Sequence, residues 1–163
     1  MTANGVQLVA IGQIERLPPR LRSLIDELQE EAKAELTLPR KMTLCLAISY
    51  GGRSELAEAA KRLVEMSAAG KLAAEDVNEG ALESCLSTAQ LGLPDPDLVV
   101  RTSGVKRLSN LLLWQAAYAE LYVAEKCWPD FRQADLEEAF RDYGRRRRRF
   151  GMTPEQVTGE KEA

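Results

Sequence analysis

Apolar residues occur along this chain in short blocks whose spacing alternates between that of strands and that of helices. Val6 to Ile11 is a β-branched, apolar run closed by Gly12, and it predicts a buried strand. Pro18-Pro19 then open a helix at its first position, and Leu21, Leu24, Ile25, Leu28 and Ala32 recur at helical spacing towards Leu36. Pro39 separates this helix from Met42 to Tyr50. That run is apolar on both faces, with Leu44, Leu46 and Ile48 on one and Cys45 and Ala47 on the other, and it predicts a parallel strand covered by helices on both sides. After the turn Gly51-Gly52-Arg53-Ser54, the positions Leu56, Ala60, Leu63 and Ser67 mark the core stripe of a second helix, with Gly70 as its C′ residue.

Leu72 to Leu86 reads as a polar connection and a short helix containing Leu82, Cys85 and Leu86. Pro94-Asp95-Pro96-Asp97 stiffens the entry to a third strand, Leu98 to Val100. A loop with Arg101 and Arg107 on either side of Gly104 follows, ending in Ser109-Asn110, good N-cap residues for a helix through the apolar segment Leu111 to Ala119. Glu120 to Val123 predicts a fourth strand, and Trp128-Pro129-Asp130-Phe131 a turn with large apolar anchors. Asp135 and Glu138 have the spacing of a capping box for a last helix, with Leu136, Ala139, Phe140 and Tyr143 as its stripe. The order predicts an α/β fold: a parallel sheet flanked by helices, with right-handed crossovers. One domain is expected over residues 1–151, with a disordered polar tail over 152–163.

Composition sharpens this picture in three places. The net charge of −3 over 163 residues disfavours general nucleic-acid binding, and the basic charge is concentrated in Arg145 to Arg149. Cys45, Cys85 and Cys127 are widely spaced with no CxxC pair, which suits a reducing compartment and neither a disulfide framework nor a cysteine metal cluster. There is no histidine, which removes histidine triads and imidazole bases.

The candidate chemistry lies at Arg101 to Ser109. In parallel α/β sheets ligands sit beyond the carboxyl ends of the strands. A strand, a loop carrying two guanidinium forks and hydroxyls, and a helix start would together offer side chains, backbone N–H groups and a helix dipole to an anion. Diphosphate is the expected ligand, against the plainer reading of two surface arginines paired with acidic neighbours. The loop lacks the GxxxxGK[ST] order of a P-loop. Two readings of Glu120 stand open on the residues alone: a solvated residue at an element's end, or a carboxylate helping to hold Mg²⁺ near phosphate oxygens. Arg53 reads as the anchor of a helix start, and Arg145 to Arg149 as a solvated face.

Several segments together carry a family resemblance. Arg101-Thr-Ser-Gly104, Arg107-Leu-Ser-Asn-Leu-Leu-Leu-Trp-Gln115, Tyr118-Ala-Glu-Leu-Tyr122 and Trp128-Pro-Asp-Phe131 resemble the C-terminal signature of the cis-prenyltransferases, the undecaprenyl and dehydrodolichyl diphosphate synthases. Tyr50-Gly-Gly-Arg53, Leu93-Pro-Asp-Pro-Asp97 and Arg148-Arg-Phe-Gly151 fit the same family in the same order. The resemblance implies condensation of isopentenyl diphosphate onto an allylic diphosphate, with Mg²⁺ as cofactor and a homo- or heterodimer as the working form. It implies that Arg101, Arg107 and Ser109 hold isopentenyl diphosphate, that Glu120 is the carboxylate near the metal, and that Arg149 and Gly151 reach the diphosphate from a partner subunit. A cytoplasmic or peripheral membrane location goes with it.

The chain also departs from the family. Family members begin earlier, with a strand running into Asp-Gly-Asn-Gly-Arg-Trp, whose aspartate binds Mg²⁺; here Asn4-Gly5 has no flanking acid or arginine. Val105 stands where bacterial members usually carry an acid, and Gln13 where an aspartate is common. The expectation is a partial cis-prenyltransferase domain that makes no polyprenyl product alone. The alternatives are a non-catalytic partner subunit and a diphosphate-binding α/β module without catalysis.

Overall fold

A computed structural model describes residues 5–34 and 41–147, with the side chains of 31–34 left aside. The chain falls into two compact units, residues 1–94 and 95–163. In the first, β1 (Val6–Gly12) leads through a 3-10 turn, Ile14–Arg16, into α1 (Pro19–Ala34), with Pro19 at the first helical position as its fixed φ favours. β2 (Met42–Ile48) pairs with β1 in parallel from Val6↔Met42 to Gly12↔Ile48. α2 (Gly52–Ala68), α3 (Glu79–Ser84) and α4 (Ser87–Gln90) follow. Gly70 stands just past α2 at φ +68°, where the N–H groups of Gly70 and Lys71 close on the carbonyls of Ser67 and Met66, the expected C′ role.

β1, rather than β2, is the strand covered on both faces: the consecutive residues Leu8 and Val9 are both buried, with Ile11. α1 and α4 both pack on β1. Among the described residues β2 has only β1 as a strand partner, and Met42 and Leu46 are 53% and 38% exposed, so these residues do not give β2 the expected double cover. The same holds for α1, whose Leu21, Leu24 and Leu28 remain exposed although their spacing is helical. On α2 the buried stripe is Glu55, Ala59 and Leu63; Ala60 and Ser67 point to solvent, one position round the helix from the expected stripe. The core closes with Cys85 and the fully buried Leu86, between α3 and α4.

In the second unit β3 (Leu98–Arg101) and β4 (Glu120–Val123) pair in parallel, Leu98↔Glu120 to Arg101↔Val123. The parallel pairing expected from the apolar runs is therefore present, as two two-stranded ladders among the described residues. The helix expected from Ser109 is not formed. Residues 102–119 are turns and bends, with Ser109, Asn110 and Leu112 all at positive φ, a conformation that interrupts a right-handed helix at its first turn. α5 (Gln133–Arg145) packs on β4 and begins ahead of the expected cap. Asp135 is its third residue, and its carboxylate accepts the Arg132 backbone N–H at 2.8 Å. Ala139 is its fully buried position, while Leu136 and Phe140 are 37% and 57% exposed. The tail expected over 152–163 lies outside the described residues.

Candidate diphosphate site

The site is built on the end of β3. Arg101 is the last residue of that strand, and its carbonyl accepts the Ala124 N–H at 2.7 Å, so its Cα is set by the ladder. The loop then doubles back onto the chain beyond β4. Ser103 N–H donates to the Lys126 carbonyl at 2.8 Å and Gly104 N–H to the Ala124 carbonyl at 3.0 Å. Ser103 and Gly104 have φ of 61° and 65°. A side chain at Gly104 would also place its Cβ 2.9 Å from the Glu125 carboxylate. Those two N–H groups are spent within the protein, as is that of Val105 on the Thr102 carbonyl. Those three N–H groups are not available to a ligand and the expected helix N-terminus is not formed, which leaves the loop's side chains as the groups brought together.

Arg101 and Ser109 are brought together. Ser109 holds a left-handed φ of 53°, and Arg101 Nη2 donates to its Oγ at 3.4 Å. That is a long contact, one a phosphate oxygen would replace with a shorter, charge-assisted bond. Arg101 Nε is enclosed by protein and has no hydrogen-bond partner. An enclosed donor without a partner costs free energy until an acceptor reaches it. Arg107 lies exposed on the same loop. Arg149 and Gly151 lie outside the described residues.

Glu120, the first residue of β4, is in an ion pair: its Oε2 accepts from Arg146 Nη1 at 2.9 Å. Arg146 also grips Asp142, and its guanidinium is held above its ordinary pKa first by the bond to Glu120, then by Asp142. No group of three or more Asp, Glu, Cys or His among the described residues could hold a metal ion. Mg²⁺ is commonly held by one or two carboxylates together with substrate phosphate oxygens and waters, and the one expected carboxylate is here already paired with a guanidinium. These residues by themselves do not fit a Mg²⁺ centre.

The sequence reading missed a second feature, in the first unit. A cavity of about 240 Å³ opens where β1 and β2 end and α2 begins, lined in part by Gly12, Ser49, Tyr50, Ser54, Glu55 and Ser87. Its organiser is Glu55, buried in the first turn of α2, which accepts from Tyr50 Oη at 2.5 Å and from Ser87 N–H at 3.0 Å. The second bond satisfies an N–H at the start of α4, where the N-cap residue, Leu86, has no side-chain acceptor. Gly12 is required here: its φ is +105°, and a Cβ would lie 2.1 Å from the Ile48 carbonyl oxygen. The one sequence signal for Glu55 was its place beside Leu56 on the inner side of the helix.

Three comparisons bear on the chain as a whole. The prenyltransferase family model described as undecaprenyl diphosphate synthase matches residues 1–151. The chain is 43% identical over 154 residues to the ditrans,polycis-undecaprenyl-diphosphate synthase ((2E,6E)-farnesyl-diphosphate specific) of Pseudomonas putida, covering 94% of this chain and 59% of that one. It is 41% identical over 146 residues to the tritrans,polycis-undecaprenyl-diphosphate synthase (geranylgeranyl-diphosphate specific) of Methanocaldococcus jannaschii, covering 90% and 51%. In structure it matches lavandulyl diphosphate synthase from Lavandula x intermedia, solved with dimethylallyl diphosphate, at a TM-score of 0.84 and 38% identity, covering 90% of this chain and 60% of that one. The chain thus spans between half and three fifths of the length of these relatives. With a family match over nearly all of its own length and this fold, the chain belongs to the undecaprenyl diphosphate synthase family of cis-prenyltransferases.

Proposed function

We propose that this chain carries the isopentenyl diphosphate half of a cis-polyprenyl diphosphate synthase. What chiefly supports the reading is the grip at the end of β3: Arg101 and Ser109 converge, and Arg101 presents an enclosed Nε with no partner. Arg107 on the same loop supplies a second guanidinium, and Arg149 and Gly151 belong to the reading by family resemblance. The reaction forms a carbon–carbon bond between the double bond of isopentenyl diphosphate and the allylic carbon. The allylic C–O bond breaks, its electron pair leaves with diphosphate, and a proton is lost from the new unit. In this scheme Arg101, Arg107 and Ser109 hold the diphosphate of the isopentenyl unit, so that its alkene end is fixed relative to the allylic carbon. Such positioning lowers the barrier by converting a two-molecule encounter into a fixed approach.

Mg²⁺ dependence, a dimeric working form and peripheral contact with the membrane that receives a long polyprenyl product belong to the same proposal. Mg²⁺ would assist departure of the allylic diphosphate, and since the described residues do not make its site, no step here is assigned to it. The test is calorimetric titration of isopentenyl diphosphate into the 163-residue chain. Saturable binding that competes with inorganic diphosphate, and is weakened when Arg101 is replaced, is the expected result. Absence of binding up to millimolar concentrations refutes the reading.

A further inference from the structure

The arginine run begins at the last residue of α5, and its described members, Arg145, Arg146 and Arg147, are not alike. Arg146 is the C-cap, with extended backbone, and its N–H closes on the Tyr143 carbonyl at 3.0 Å. Its side chain turns inward while Arg145 and Arg147 stay exposed. Arg146 Nη1 donates to Glu120 Oε2 and to the Leu121 carbonyl, both at 2.9 Å. Its Nε and Nη2 donate to Asp142 Oδ2 at 2.8 and 2.5 Å. The guanidinium thus ties the last turn of α5 to the first two residues of β4. The pair is partly shielded, with side chains 29% and 31% exposed, so solvent screens it less than a surface pair.

We propose that in this chain Glu120 is the counter-ion of Arg146 rather than a metal ligand. Acting through Arg146, it positions the last turn of α5. One arginine is spent internally as an anchor, while Arg145 and Arg147 on either side stay exposed, where they can meet an anion. This inference goes beyond the diphosphate reading and does not depend on it.

The experiment uses the 163-residue chain, its Glu120→Gln and Arg146→Gln variants, the double variant and Arg146→Lys. Hydrogen exchange over residues 133–147 reports the anchor, and Mn²⁺ titration followed by electron paramagnetic resonance reports metal binding. Each single Gln variant is expected to speed exchange near the Arg146 amide by about tenfold, and the double variant by no more than either single one, as for two residues acting through one contact. Arg146→Lys, which keeps the charge and loses the fork, should fall between wild type and Arg146→Gln. Mn²⁺ binding should be the same with and without the Glu120 carboxylate. A fivefold or greater loss of Mn²⁺ affinity in Glu120→Gln overturns the proposal, as does unchanged exchange, or single-variant effects that simply multiply. If isopentenyl diphosphate fails to bind, the diphosphate reading falls, while the exchange and Mn²⁺ measurements still decide this one.

Discussion

Replacing Arg101 by glutamine should weaken isopentenyl diphosphate binding sharply and leave the fold as stable as before. Arg101 is well placed to lose a great deal of binding energy. Its backbone is fixed in the β3–β4 ladder, its side chain is half-buried, and its Nε already sits out of water without an acceptor. For Nε, the desolvation that a surface arginine would undergo on binding has already taken place on folding. A hydrogen bond to a charged group contributes about 1.5–3 kcal/mol, and each 1.4 kcal/mol corresponds to roughly a tenfold change in affinity. Loss of the fork therefore predicts a dissociation constant about 10- to 150-fold higher. Stability should not fall, because the glutamine removes the unsatisfied buried Nε and gives up only a long 3.4 Å contact from Nη2 to Ser109 among the described residues. The assay is calorimetry on wild type, Arg101→Gln and Arg141→Gln, with urea denaturation on the same preparations. Arg141 is an exposed arginine paired with Glu137 on α5, and its replacement changes net charge equally. A dissociation constant for Arg101→Gln within twofold of wild type would refute the reasoning. Equal weakening by Arg141→Gln would also refute it, since the effect would then be general charge.

Three further outcomes follow from the same geometry. Gly12→Ala should destabilise the first unit by about 3 kcal/mol or more in urea denaturation, since positive φ and a clash with a ladder carbonyl act together. The Asp135 carboxyl is held below its ordinary pKa, first by the hydrogen bond from Lys126 and then by the Arg132 N–H. Its contribution to α5 is therefore complete above the unfolded value near 4 and is lost as pH falls through the depressed value. Asp135→Asn should flatten that acid limb in helix-sensitive circular dichroism or exchange. Among the thiols, a disulfide reagent should modify exposed Cys127 first and buried Cys85 last, with Cys45 between them because burial raises its pKa and lowers its thiolate fraction.

What could be read from the sequence was the identity of the elements and the residue types of the grip; what covers each element was not. The four strands stand where the apolar runs put them, because β-branched and leucine-rich blocks of this length bounded by glycine and proline have few other uses. Periodicity says which residues of an element share a face. It does not say whether anything lies against that face, and so Leu21, Leu24, Met42, Leu46 and Phe140 fit a core pattern yet stay exposed. The loop from Arg101 to Ser109 failed in a more instructive way. Ser-Asn before an apolar block is a good helix start by composition, but asparagine also tolerates the left-handed region better than most, and here the chain takes both residues into it. The left-handed turn carries Ser109 back to Arg101. A regular helix start would have offered a ligand its own N–H groups in place of that hydroxyl. The misread secondary structure and the geometry of the grip thus have one cause: at Ser109 the chain departs from its local preference for a helix start, and it does so where the site is made.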